Sequence, residues 1–247
     1  MTPERVIGVI EARVGSSRLP GKVLAGIGGL PLVRWTIEAM ASVPGIEQLI
    51  VATTTEPEDD QLVEALEGVV PIHRGPTYDV LTRCWEAVEP FGPTIVVRQT
   101  ADNPFVDPVV VASQIERLIE GGFDFVGNAG WPLGIAAEVA RAAALRAAFE
   151  EAREPAEREH VMPFLYARPQ RFAIGSLSPP AQAHHPRYTV DTEADLVFAR
   201  AVAERLGHGP PVRFEELEGI LEREPGLASL NADVTQKPWR EVDTRGP

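Results

Sequence analysis

The first half of the chain alternates short apolar runs with longer amphipathic stretches. The apolar runs fall at residues 6–10, 48–52, 69–72, 94–97 and 123–126. Each has the length of a strand and is bounded by polar or turn-forming residues. Between them, residues 32–41, 58–67, 78–88 and 108–120 carry apolar side chains at the three- and four-residue spacing of helices. Such alternation predicts an α/β fold, with a mostly parallel sheet and helices on both of its faces. Right-handed crossovers then bring the loops that follow the strands to one edge of the sheet. The loop after the first run and the segment around Asp102 therefore meet.

The second half is less regular. The Ala-rich stretch Glu138 to Ala152 predicts a helix, and Glu154-Pro155 opens another that carries Arg158 and His160. Residues 171–174 and 187–190 predict short strands, with a Pro- and His-containing loop at 178–186 between them. Residues 193–206 and 214–223 predict two closing helices, and the chain turns polar from about Ala232. No repeat or linker divides the sequence. It reads as one domain over residues 1–231, with halves at about 1–127 and 128–231, followed by a polar tail over 232–247.

Chemistry is concentrated just after the first apolar run. The stretch Glu11-Ala12-Arg13-Val14-Gly15-Ser16-Ser17-Arg18-Leu19-Pro20-Gly21-Lys22 is rich in small residues and carries three cations. Gly15, Ser16 and Ser17 let backbone N–H groups approach an anion, and Arg13, Arg18 and Lys22 add charge. A loop of this kind at the carboxyl end of a first strand suits a polyphosphate. It lacks the Gly-x-x-x-x-Gly-Lys-Ser/Thr pattern, since Lys22 is followed by Val23, and it lacks Gly-x-Gly-x-x-Gly.

The formal net charge of −13 argues against nucleic acid as a partner. It also means that an anionic ligand needs a local basic funnel, for which Arg13, Arg18, Lys22, Arg74, Arg83 and Arg98 are candidates. The single cysteine, Cys84, removes disulfides and Cys-rich metal sites from consideration. No apolar run approaches the length of a membrane span, and no signal peptide is evident. The expectation is a cytoplasmic protein that uses no membrane.

Two carboxylates stand where strands end. Asp102 follows the run Thr94-Ile95-Val96-Val97; it either holds Mg²⁺ beside the phosphate loop or caps the turn before Pro104. Asp107, ahead of Pro108, reads as a helix N-cap. Thr192 and Asp195 have the spacing of an acidic capping box, which leaves Asp191 free at a strand–helix junction. Arg98 either reaches the site or satisfies a buried carboxylate. Arg158 either meets an anionic substrate or pairs with Glu154 four residues earlier.

The loop Ala12-Arg13-x-Gly15-Ser16-Ser17-Arg18-Leu19-Pro20-Gly21-Lys22 resembles the signature of the cytidylyltransferases that activate acidic sugars, those making CMP-KDO and CMP-sialic acid. The likeness runs closest to the group of the spore coat polysaccharide biosynthesis protein F. Further matches follow in order: Arg74-Gly75 with Asp79-Val80-Leu81-Thr82-Arg83, Arg98 to Pro108, Arg158-Glu159-His160-Val161, and Thr189 to Leu196. Together they span most of residues 5–200.

The resemblance implies a Rossmann-like, three-layer nucleotidyltransferase fold, a possible homodimer and transfer of CMP from CTP to a small acid, with pyrophosphate released. It implies Mg²⁺ held by Asp102 and Asp191, and Arg18 and Lys22 acting on the triphosphate. The base is expected near Ala12-Arg13 and the Arg74–Asp79 segment. The acceptor is expected near Asn128, Glu138, Arg158 and His160. Two departures stand out. Gly134-Ile135-Ala136-Ala137-Glu138 replaces a Gly-Leu-Asp-Val-Glu segment, and Ala101 replaces the usual Gly. Ala136 leaves acceptor identity open. The alternatives are another NTP, a phosphate or phosphonate acceptor, a nucleotide-sugar glycosyltransferase-like protein and a non-catalytic binding relative.

Overall fold

A computed structural model describes residues 4–179, 183–185 and 187–236. Parts of the expected 178–186 loop and of the polar tail (residues 180–182, 186 and 237–247) lie outside the described residues. In chain order the elements are β1 (Val6–Glu11), β2 (Gly26–Ile27), β3 (Leu30–Pro31), α1 (Leu32–Ala41), β4 (Ile46–Thr54), α2 (Asp60–Ala65), β5 (Ile72–Gly75) and α3 (Val80–Val88). Then follow β6 (Ile95–Thr100), α4 (Pro108–Gly121), β7 (Phe125–Gly127), β8 (Glu138–Arg141), α5 (Ala142–Glu151), α6 (Pro155–His160) and α7 (Pro163–Tyr166). The last are β9 (Ile174–Ser176), α8 (Glu193–Leu206) and α9 (Phe214–Arg223).

Seven strands form one sheet in the order β5-β4-β1-β6-β8-β7-β9. β5, β4, β1 and β6 are mutually parallel, β8 is antiparallel to both of its neighbours, and β9 runs parallel to β7. The central strand β1 shows the period of two that builds such a layer. Ile7 and Val9 pack on one face with Val80, Leu81 and Val88 of α3 and with α5. Val6 and Ile10 pack on the other with α1, α2 and α4. A third apolar cluster, around Trp35, Phe105, Tyr188, Phe198 and Phe214, ties α8 and α9 to the strand-end edge. The result is the Rossmann-like three-layer nucleotidyltransferase arrangement expected from the sequence.

Three expectations need correction. Glu138–Arg141 is a strand, and the helix begins only at Ala142. Alanine favours a helix locally, yet Val139 and Ala140 fill the gap between β6 and β7, and sheet pairing overrides propensity. Residues 187–190 are not a ladder strand; Arg187 makes one isolated bridge to Leu133. The strand predicted at 171–174 starts at Ile174. Among the described residues no helix is long and apolar enough to cross a membrane.

Candidate active site

β1 ends at Glu11, and the chain then crosses the carboxyl edge of the sheet as the cationic loop. The Val14 N–H donates to Asp59 Oδ1 at 2.6 Å, and Asp59 is itself fully buried against the Thr54 hydroxyl. Gly15 passes so close to α2's entry that a Cβ there would lie 2.2 Å from Glu58 Oε1. The Gly21 N–H closes the loop on Val14 O at 3.0 Å. Among the described residues, the N–H groups of Gly15, Ser17 and Arg18 donate to no protein acceptor. With Ala12, Arg13 and Ser16 they line a cleft of about 270 Å³. Pinned from behind by Asp59 and open in front, the loop presents donors and cations to an anion.

Lys22 lies at the end of this loop and is buried. Its ammonium donates to Asp102 Oδ2 at 2.6 Å, to Asp191 Oδ1 at 2.8 Å and to Val190 O at 2.8 Å. Three separate segments thus converge on one nitrogen: the loop after β1, the turn after β6 and the approach to α8. The Val190 N–H donates to Asp102 O at 2.8 Å, which holds the latter two together. Gly134 allows the approach: its φ is +95°, and a Cβ would lie 2.9 Å from Thr189 N. Arg18 and Arg187 also reach Asp191 Oδ2, at 3.0 and 2.6 Å. Burial acts to raise the Asp191 pKa, but the Lys22 ammonium and the two guanidinium groups outweigh it and hold the carboxyl down at about 2. Burial acts to lower the Lys22 pKa, and Asp102 and Asp191 more than reverse it. Lys22 and Asp191 are both charged at neutral pH.

The cleft continues into a second cavity of about 300 Å³, and the two share Glu11, Arg18, Thr100, Asp102, His160 and Asp191 as walls. Asn128, Arg98 and Glu138 line only the second. Arg98 faces Glu138 across the β6–β8 register and clamps Glu11 on β1, with Nη2 2.6 Å from Glu11 Oε1 and Nη1 on Glu138 Oε2. Arg98 thus satisfies two carboxylates and at the same time lines the second cavity. Burial raises the Glu138 pKa despite the neighbouring guanidinium. Burial likewise pushes the Cys84 thiol, 3.7 Å from Glu11, up to about 12, so it is inert. His160 is kept neutral chiefly by burial. It is followed by Val161 at φ +70°, in a tight turn closed by the Met162 N–H on His160 O at 2.8 Å.

Two other expected site residues lie elsewhere. Arg74 does not line the cleft; it binds Asp60, Thr54 O and Glu56 O behind it. Arg158 pairs with neither a cavity nor Glu154: its guanidinium contacts Asp79, Thr82 and Phe149 O, tying α6 to α3. Asp107 caps α4, and Thr192 forms the capping box of α8 with Asp195. Sequence reasoning missed Asp59, Arg187 and Glu11. Only Glu11, as the last residue of β1, carried a positional signal. Among the described residues no cluster of three or more His, Cys, Asp or Glu side chains is arranged for a metal.

The cytidylyltransferase profile matches residues 7–237. The chain belongs to the cytidylyltransferase family. It is 32% identical over 244 residues to the uncharacterized protein MJ1063 of Methanocaldococcus jannaschii, covering 97% of this chain and 99% of that one. It is 31% identical over 232 residues to the spore coat polysaccharide biosynthesis protein SpsF of Bacillus subtilis, covering 91% and 97%. Its fold superposes on a cytidylyltransferase from Leptospira borgpetersenii serovar Hardjo-bovis with a TM-score of 0.86 at 23% identity, over 96% of this chain and all of the other. This family member is accordingly a nucleotidyltransferase enzyme, and the loop that resembles the family signature lines the cleft described above.

Proposed function

We propose that this cytidylyltransferase transfers CMP from CTP to a hydroxyl of an acidic sugar, with Mg²⁺ as cofactor, in the making of a surface glycan precursor in the cytoplasm. One observation carries the reading: the phosphate-loop cleft and the second cavity meet at Asp102 and Asp191. A donor in the first and an acceptor in the second would present their reacting atoms to each other there.

The acceptor oxygen attacks the α-phosphorus, the new O–P bond forms, and the bond to the β-phosphate oxygen breaks. Pyrophosphate leaves with the electron pair, and the proton of the attacking hydroxyl is released to water. Charge builds on the α-phosphate and the leaving group, so catalysis rests on positioning and electrostatic stabilisation. The N–H groups of Gly15, Ser17 and Arg18 would bind phosphate oxygens, and the Arg18 and Lys22 charges would stabilise the leaving pyrophosphate. The donor set fits Mg²⁺: two carboxylates and the Val190 carbonyl point at one place now filled by an ammonium. Asp102 and Asp191 would hold the ion, which supplies charge neutralisation and activation of the attacking oxygen. His160, neutral at the junction, and Glu138 would orient acceptor hydroxyls.

Thermal stabilisation and pyrophosphate release, measured with each of the four NTPs with and without Mg²⁺, test the donor. Stabilisation by CTP above the others, strengthened by Mg²⁺, is expected. Equal response to all four, or response only to a nucleotide sugar, overturns the reading.

A further inference from the structure

All three N–H bonds of the Lys22 ammonium are committed, to Asp102, Asp191 and Val190 O. In this arrangement Lys22 has no donor left for a phosphate. It also fills the point on which the carboxylates converge, so an ammonium and a divalent cation exclude each other there. The surrounding charge is already balanced. Lys22, Arg18 and Arg187 face Asp102, Asp191 and Asp195, three cations against three carboxylates. Asp102 Oδ1 is further occupied by the Thr100 hydroxyl. A divalent ion arriving alone would meet a neutral, fully bonded cluster and would have to strand a buried ammonium.

We propose that Lys22 is a resident counter-cation that closes the metal site of the nucleotide-free enzyme, and that a triphosphate opens it. Four phosphate charges in the adjacent cleft give Lys22 and Arg18 a competing partner. When both turn toward the phosphates, Asp102 and Asp191 lose two of their three cations and accept the divalent ion in exchange. Metal and nucleotide therefore bind as a linked pair, each raising the other's affinity by the same factor. The inference rests on the metal assignment made for Asp102 and Asp191, and it goes beyond it in making Lys22 the gate.

The test is Mn²⁺ binding to the full chain, followed by electron paramagnetic resonance, without turnover. Wild-type protein alone should bind Mn²⁺ at least about tenfold more weakly than with a non-hydrolysable CTP analogue, a coupling of about 1.4 kcal/mol. Lys22→Ala and Lys22→Gln, checked for folding by their melting curves, should bind Mn²⁺ without nucleotide about tenfold more tightly than wild type does. Asp191→Asn in the Lys22→Gln background should abolish that gain. Unchanged Mn²⁺ affinity in both Lys22 variants overturns the gate, as does wild-type binding that is equally tight with and without the analogue. The nucleotide-free comparison needs no CTP. A protein that ignores CTP but gains Mn²⁺ affinity on Lys22 replacement loses the donor reading and the triphosphate trigger, and keeps Lys22 only as the counter-cation that occupies the site.

Discussion

The enzyme holds two buried ionic clusters that share a wall of the same cavity, and they are built on opposite principles. Glu11, Arg98 and Glu138 sit on the neighbouring paired strands β1, β6 and β8: Arg98 and Glu138 are register partners, and Glu11 stands two residues along β1 from Arg98's partner Val9, so backbone pairing fixes all three. Lys22, Asp102 and Asp191 come from three loops or strand ends, with the carboxylates 80 and 169 residues from the lysine; one backbone bond, Val190 N–H to Asp102 O, joins the two acidic segments, and no sheet pairing holds the three side chains. The first cluster has one cation between two carboxylates; the second, with Arg18, Arg187 and Asp195, sets three cations against three carboxylates. Strand pairing carries the first cluster as a wall of the second cavity, while the second cluster sits at strand ends where the two cavities meet. Ionic groups placed on paired strands act as structure, and the same groups placed on strand-end loops are available for chemistry.

The largest effect should come from breaking the strand-paired cluster. Arg98→Met leaves two buried carboxylates without their cation and should cost about 3–5 kcal/mol in urea unfolding. Adding Glu11→Gln and Glu138→Gln should recover most of that loss, which would separate the charge penalty from packing. Breaking the strand-end cluster should act on rate instead. Asp191→Ala should reduce CMP transfer by roughly 10²–10³-fold while the protein still melts cooperatively. Full activity would remove Asp191 from the mechanism.

Acid should tell the two clusters apart. Asp191 titrates at about 2 in the folded chain against an ordinary 3.8, so the stability it lends is present above pH 4 and lost as pH falls through that window. Its share is on the order of 2 kcal/mol, and Asp191→Asn should flatten that limb of the pH–stability curve. Glu138 has the opposite sign: its raised pKa means that its ionisation, as pH climbs above 4.5, removes stability. The smallest effect belongs to Arg74. Its partners Asp60 and Glu56 are partly solvated, so Arg74→Ala should cost at most about 1 kcal/mol and leave KM for CTP unchanged. A raised KM would return Arg74 to the nucleotide site.

Local chemistry was legible in the sequence where one segment carries its own reason. The cationic loop, the caps at Asp107 and Thr192 and the apolar strands all follow from short-range patterns. Pairings across the chain were not legible. Arg158 stands four residues from Glu154, yet it reaches Asp79, because the packing of α6 on α3 brings that carboxylate nearer. Asp59 reads as one more acid in Glu56-Pro57-Glu58-Asp59-Asp60, and only burial singles it out as the loop's anchor. β8 was hidden because its two central residues answer to the sheet around them rather than to their own propensity.

The reversed strand β8 has a consequence for how such enzymes diversify. β7 ends at Gly127 and β8 begins at Glu138, antiparallel to it, so residues 128–137 leave and re-enter the sheet at the same edge. That excursion supplies Asn128, Leu133, Gly134, Ala136 and Ala137 to the second cavity and nothing to the cleft under the cationic loop. Its length and composition can drift without shifting the register of β1, β4 or β6. A lineage can therefore reshape the second cavity by rewriting ten residues, while the cleft under the cationic loop is inherited untouched.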